Sequence, residues 1–277
     1  MRGPGGLASW CARRHEVSSP AEVGLLTLYD EIGEGYPRTR RADPRIAALI
    51  DHALGDACTV VNVGAGTGNY EPSGRDVTAV EPSAAMIAQR PPGAAPVVQG
   101  SAEALGFDDD AFDAAMALMT LHHWDDIPRG LAELRRVARK RIVIFTWDPA
   151  MAGTQWLTAE YLPALGEIDL FKFPSPAEIA EALGGAEVNT VPVPRDCQDG
   201  FIEAFWARPE AYLDPEVRAG MSGMMALAPE AVERGIGSLR ADLESGDWER
   251  RHGHLRRVDE LDLGYRLVVA TPAGTTA

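Results

Sequence analysis

Val60-Val61-Asn62-Val63-Gly64-Ala65-Gly66-Thr67-Gly68 is the stretch that decides the fold. Three valines around Asn62 run straight into alternating glycines, the pattern of a buried strand ending in a tight turn. There, missing side chains let the backbone approach a ligand closely. A dinucleotide-binding turn has the spacing G-x-G-x-x-G, whereas here it is G-x-G-x-G and Asn69 holds the sixth place, which argues against a pyrophosphate ligand. The next apolar run, Val77-Thr78-Ala79-Val80, ends on Glu81, a carboxylate able to accept two hydrogen bonds from a ribose diol.

Outward from this pair, short apolar runs alternate with helical stretches. Strands are predicted over Thr59–Val63, Asp76–Val80, Pro96–Gln99, Phe112–Leu118 and Arg141–Trp147, all parallel, with helices at Ser83–Gln89 and Ile127–Ala138. Pro72 and Gly74 leave room for only a turn or so of helix in the first crossover. After Trp147 the pattern predicts a helical segment over Trp156–Leu165, a helix over Pro176–Leu183 opened by the Ser-Pro-Ala-Glu capping box at Ser175, a strand over Val188–Val193 and a last strand over Gly264–Ala270. The fold class is therefore α/β, a doubly wound, mostly parallel sheet.

The chain divides into a loose tail (1–20), N-terminal helices (21–56), a core (57–195), an insertion (196–262) and the last core strand with its tail (263–277). The insertion shows helical apolar spacing, as in Phe201, Ile202, Phe205 and Trp206, and no strand pattern, which predicts a helical cap beside the sheet.

Val60 to Tyr70, Ala79-Val80-Glu81-Pro82-Ser83, Gly100-Ser101-Ala102-Glu103-Ala104-Leu105, and Phe112-Asp113 leading to Leu121-His122-His123-Trp124 resemble, in order and spacing, the successive motifs of class I S-adenosylmethionine-dependent methyltransferases. The resemblance covers Thr59 to Trp147 strongly and the last strand weakly, and implies a seven-stranded sheet. It implies S-adenosyl-L-methionine as cofactor, S-adenosyl-L-homocysteine as product, and methyl transfer to an O, N or C atom of a small metabolite, with specialised biosynthesis as a setting. It puts Gly64, Ala65, Gly66, Thr67 and Gly68 around the methionine part, Glu81 on the ribose, and Pro82 and Met86 beside the adenine. Ser101, Ala102 and Glu103 fall at the adenine edge, and Leu118 and Met119 where the fourth strand ends. Two positions depart from the family pattern: Asn62 and Ser101 stand where acidic residues are usual. The fold is also compatible with a cofactor-binding enzyme that performs other chemistry, such as a cyclisation, and with a non-catalytic small-molecule binder.

Methyl transfer from a sulfonium is an in-line displacement, so an acceptor carrying a proton needs a base. His122 and His123 are the candidate bases; at a strand end their side chains should point to opposite faces, leaving one toward the pocket. Packing under a loop is the other explanation for the pair. Tyr29, Tyr36 and Arg38, from the N-terminal helices, and Trp147 and Trp206 are candidates for the substrate pocket. The tyrosines fit core packing equally; for the aromatic residues Trp147, Trp156, Phe171 and Phe173 a cap-to-sheet core is favoured over an apolar substrate wall. Asp196-Cys197-Gln198-Asp199-Gly200 can enter the pocket from the cap or be a loop with a buried thiol. His252-Gly253-His254 lacks a companion acid or cysteine at ligand spacing and has arginine neighbours, so no metal is expected.

With 26 Lys and Arg against 41 Asp and Glu, the formal net charge is −15, a field that repels phosphate polymers and anionic lipids. Neither nucleic acid nor membrane is expected as a partner. The arginine clusters at 38–45 and 250–257 read as solvated faces. Three scattered cysteines and the absence of a long apolar run suit a cytoplasmic monomer or homodimer.

Overall fold

The computed structural model describes residues 40–272, apart from the side chains of 169–172. Tyr29, Tyr36 and Arg38, the 1–20 tail and the first N-terminal helix lie outside the described residues. In chain order the elements are α1 (Pro44–Ala53), β1 (Thr59–Val63), β2 (Asp76–Glu81), α2 (Ala84–Ala88), β3 (Val97–Gln99), β4 (Phe112–Leu118), α3 (Ile127–Val137), β5 (Ala138–Trp147), α4 (Pro163–Lys172), α5 (Pro176–Ala182), β6 (Glu187–Thr190) and β7 (Val193–Pro194). The insertion then supplies α6 (Pro215–Ala219), α7 (Ser222–Met225), α8 (Pro229–Ser245), α9 (Asp247–His252) and β8 (Glu260–Leu261), before β9 (Tyr265–Ala270).

A seven-stranded sheet runs in the order β3-β2-β1-β4-β5-β9-β6. The first five strands are parallel, and β9 lies antiparallel to both β5 and β6. Residues of β1 and β4 are buried on both faces, which explains why they read as unbroken apolar runs. One face, through Val61, Val63, Ala115 and Ile144, packs on α3 and α5; the other, through Val60, Met116, Val143 and Phe145, packs on α1 and the start of the insertion. A separate apolar cluster, centred on Trp156, Leu165, Tyr212, Leu239 and Trp248, joins the segment after β5 to the helices of the insertion.

Several elements differ from their sequence expectation, each for a local reason. The chain between Asn69 and Asp76 makes turns and no helix. The segment predicted as one helix over 156–165 is a single π-helical turn, Leu157–Tyr161, followed by α4, because Pro163 cannot continue the first helix and instead starts the second. The strand predicted over 188–193 splits: Pro192 has no N–H to donate, so β6 stays in the main sheet while β7 leaves it and pairs with β8. The insertion is therefore mainly helical but contains a strand.

Asp43 ties α1 to the cap. It caps the helix through the Arg45 N–H (2.9 Å), accepts the Gln198 N–H (3.0 Å) and pairs with the Arg45 guanidinium (2.7 Å). Burial works to raise its pKa, but the Arg45 side chain and the two backbone donors prevail and hold it at about 2. A depressed carboxylate stabilises the fold above its unfolded value and loses that contribution as pH falls through its folded one. Denaturant titrations of Asp43→Asn should show about 1–2 kcal/mol less stability at pH 7, allowing for the half-exposed Arg45, with the difference from the native protein shrinking between pH 4 and 2.

Candidate active site

At the carboxyl ends of the strands, the order reverses between β1 and β4: the chain leaves β1 toward β2 and β3 on one side, and β4 continues to β5 on the other. Such a reversal opens a crevice that no crossover covers. A cavity of about 730 Å³ occupies it, roofed by the cap.

Its floor is the glycine turn. Gly64 and Ala65 donate their N–H groups to the Val80 carbonyl (2.9 and 3.0 Å), and Gly64, Gly66 and Gly68 have φ of 71°, 52° and 90°, values that other residues rarely adopt. Glu81 locks this turn to the next helix: one carboxylate oxygen accepts the Gly66 N–H (2.8 Å), the other the Ser83 N–H (2.9 Å). Beneath the turn, Arg90 bridges Glu71 (2.7 Å) and the Gly66 carbonyl (3.0 Å), with both ionic side chains almost fully buried. Asn62 donates to Glu71 (3.2 Å), so a carboxylate does stand beside the position where the sequence lacks one. The buried Oδ1 of Asn62 has no protein partner, and Asn62 lines the cavity.

Of the residues singled out from sequence, Gly64, Ala65, Gly66 and Thr67 line the cavity, as do Glu81, Pro82 and Met86. Ser101, Ala102, Glu103, Leu118 and Met119 join them. Gly68 closes the turn through its N–H to the Ala65 carbonyl (2.9 Å). Glu103 also accepts the Asp125 N–H (3.0 Å), holding the loop that follows β4. Met119 has φ of 52°, an uncommon backbone for a side chain this size and a mark of local constraint at the cavity edge.

His122 and His123 lie in a 3-10 turn and not on a strand end, so both line the cavity, contrary to the alternation expected of a strand. Their rings are 3.8 Å apart, and His122 also stacks on Phe173 at 4.3 Å. Trp147 lines the cavity, its indole N–H held by the Leu263 carbonyl (2.8 Å). Trp206 is placed elsewhere: fully buried between cap and sheet, it donates to the Val193 carbonyl (3.1 Å). His252 lies 2.8 Å from Glu160, and among the described residues no group of three or more His, Cys, Asp or Glu could hold a metal ion. No described helix is long and apolar enough to cross a membrane.

Of the Asp196–Gly200 run, Asp199 lines the cavity, as do Glu203 and Tyr265, which the sequence reading did not single out. Asp199, fully buried, accepts from Arg40 (2.8 Å), Tyr70 (3.0 Å) and Asn69 (3.3 Å), joining the cap to the end of the glycine turn. Burial and the Asp199 charge push the Tyr70 phenol up, which keeps it a donor. Glu203 and Tyr265 meet across 62 positions, with the tyrosine hydroxyl donating at 2.6 Å. Only a lone acid inside the apolar run Phe201–Trp206 signalled the first of them.

A family model for a methyltransferase domain matches residues 61–145. A candidate methyltransferase from an antibiotic biosynthesis pathway of Anabaena variabilis is 33% identical, with 84% of this chain and 99% of that chain covered at a TM-score of 0.78. The chain belongs to the class I S-adenosylmethionine-dependent methyltransferases. Looser likenesses include a Thermotoga maritima methyltransferase described as a possible histamine N-methyltransferase (25% identity, 53% and 74% covered, TM-score 0.44). Another is a Streptomyces coelicolor geranyl diphosphate C-methyltransferase, solved with Mg2+, its substrate and S-adenosyl-L-homocysteine (17%, 82% and 76%, TM-score 0.46). No curated protein is a significant match.

The residues present fit the family's cofactor. A carboxylate faces the cavity where a ribose would need an acceptor, the glycine turn leaves backbone bare, and the orphaned Asn62 oxygen awaits a donor such as an ammonium. A methyl group at Gly64 would overlap the Thr120 side chain, at a φ that side-chain-bearing residues rarely adopt. Gly64→Ala should therefore lose on the order of 2–4 kcal/mol of stability, read as a lowered midpoint in thermal or urea unfolding.

Proposed function

We propose that the protein transfers a methyl group from S-adenosylmethionine to an O, N or C atom of a small metabolite enclosed between the sheet ends and the cap. The observation that carries this reading is the continuity of one cavity from the Glu81–glycine turn to an aromatic chamber under the cap, lined by Phe145, Trp147, Phe173 and Phe201. The size of about 730 Å³ suits a small molecule beside the cofactor. The Anabaena relative's biosynthetic setting supports a specialised product, and the net charge of −15 supports a protein acting on neither nucleic acid nor anionic membrane.

In this reading Glu81 accepts the ribose hydroxyls with the lone pairs left by Gly66 and Ser83. The turn from Gly64 to Gly68 and the Asn62 oxygen receive the methionine end. Pro82 and Met86 flank the adenine, Ser101, Ala102 and Glu103 meet its edge, and Leu118 and Met119 wall the space beside it. The cofactor supplies a methyl group on a sulfonium, electrophilic enough for direct displacement. The chain's own contribution is to align the acceptor with that carbon and to keep water out through its cap and aromatic walls. His122 and His123, both on the cavity wall, are the candidate bases for an acceptor that must lose a proton.

Calorimetric titration with S-adenosylhomocysteine, and separately with NAD, tests the cofactor assignment. The native protein should bind the first and not the second. Glu81→Ala should weaken that binding roughly 100-fold, as expected for two lost hydrogen bonds to a charged acceptor. Preference for NAD would refute the reading.

A further inference from the structure

Glu203 is unusual among the cavity residues. It lies in the 3-10 turn Ile202–Phe205, its side chain is buried, and it faces a chamber whose walls are rings: Phe201 is 4.7 Å and Phe145 5.6 Å from Tyr265, and Trp147 is 5.6 Å from Phe173. Its hydrogen-bond donors are the Tyr265 hydroxyl and its own backbone N–H, and among the described residues no Arg, Lys or His pairs with it. The groups around it are Tyr265 from β9, Tyr212 from the following turn, and, beyond Tyr265, the ion pair of Arg40 with Asp199. Both tyrosines are held protonated, by burial first and by the carboxylate charge second. Burial pushes the Glu203 carboxyl up.

Nothing in the packing requires an acid there. A buried carboxylate without a cation is costly, and an amide would fill the same space and still accept from the Tyr265 hydroxyl. The remaining charges of the cavity point the same way: Glu81, Glu103, Asp125, Asp199 and Glu203 line it, whereas its one described arginine, Arg40, is engaged by Asp199 at 2.8 Å. A cation entering from solution would complete the ion pair with Glu203 and meet ring faces that attract positive charge.

We propose that the methyl acceptor is an amine, which enters as an ammonium ion, pairs with Glu203 and is boxed by the surrounding aromatic rings. This rests on the methyltransferase reading and narrows its acceptor atom to nitrogen. For transfer, the ammonium proton passes to the Glu203 carboxylate, and the freed nitrogen lone pair forms the N–C bond. The S–C bond breaks with its electrons left on sulfur. The product is again an ammonium, now methylated, and Glu203 returns its proton to water, so one proton is released per turnover.

The test uses 2-phenylethylamine and its neutral counterpart 2-phenylethanol, titrated calorimetrically into protein saturated with S-adenosylhomocysteine. The amine should bind at least tenfold tighter than the alcohol. In Glu203→Gln, which keeps an oxygen for the Tyr265 hydroxyl, the preference should fall within twofold while S-adenosylhomocysteine affinity stays within twofold of native. Equal or tighter binding of the alcohol by the native protein, failure of both probes to bind, or an amine preference that survives in Glu203→Gln overturns the proposal. Should that variant fail to fold, the native amine-to-alcohol ratio still decides. Failure of the native protein to bind S-adenosylhomocysteine would instead sink the methyltransferase reading beneath it.

Discussion

A single carboxylate organises the cofactor end of this molecule. Glu81 accepts the Gly66 N–H with one oxygen and the Ser83 N–H with the other, so the turn after β1, the end of β2 and the start of α2 share one anchor. Charge-assisted bonds of this kind are about twice as strong as neutral ones. They hold open a turn whose glycines would otherwise sample many conformations. The buried Arg90–Glu71 pair secures the same turn from below, where removal of either partner would strand a charge. Strand order then does the rest, since the reversal between β1 and β4 leaves a crevice directly above this turn.

The cap is joined to that anchor through polar contacts. Asp199, from the insertion, takes hydrogen bonds from Asn69 and Tyr70 at the end of the glycine turn and from Arg40 ahead of α1. Tyr70 is held at a φ of 64°, and its ring meets Phe145 edge-on at 6.2 Å. Three segments far apart in sequence thus meet at one buried carboxylate, which places the cavity roof in register with its floor. The apolar cluster around Trp156 and Trp248, built from the segment after β5 and the insertion, is separate from the two clusters that flank the sheet.

The sheet was legible in the sequence because β1 and β4 are buried on both faces and so read as plain apolar runs, and because Gly64 to Gly68 and Glu81 sit at fixed offsets from them. The capping box at Ser175 was legible for the same reason: its partners lie three residues apart. What escaped depends on distance along the chain. Glu203 with Tyr265, and Asp199 with Tyr70, are juxtaposed only by folding, and no local period marks them. The π turn at 157–161 and the split at Pro192 show the other limit, since a proline announces a break but not where the chain goes next. His122 and His123 were visible as a pair, yet the 3-10 turn that faces both of them to the cavity was not.

The most direct measurement is a crystal structure of the protein soaked or grown with S-adenosylhomocysteine. The ligand should lie across the β1 and β4 ends, with both ribose hydroxyls within hydrogen-bond distance of Glu81, its amino group at the Asn62 oxygen and its sulfur facing the aromatic chamber under the cap. A ligand bound elsewhere, or one whose ribose does not meet Glu81, would contradict the placement of the cofactor and with it the site built around that carboxylate.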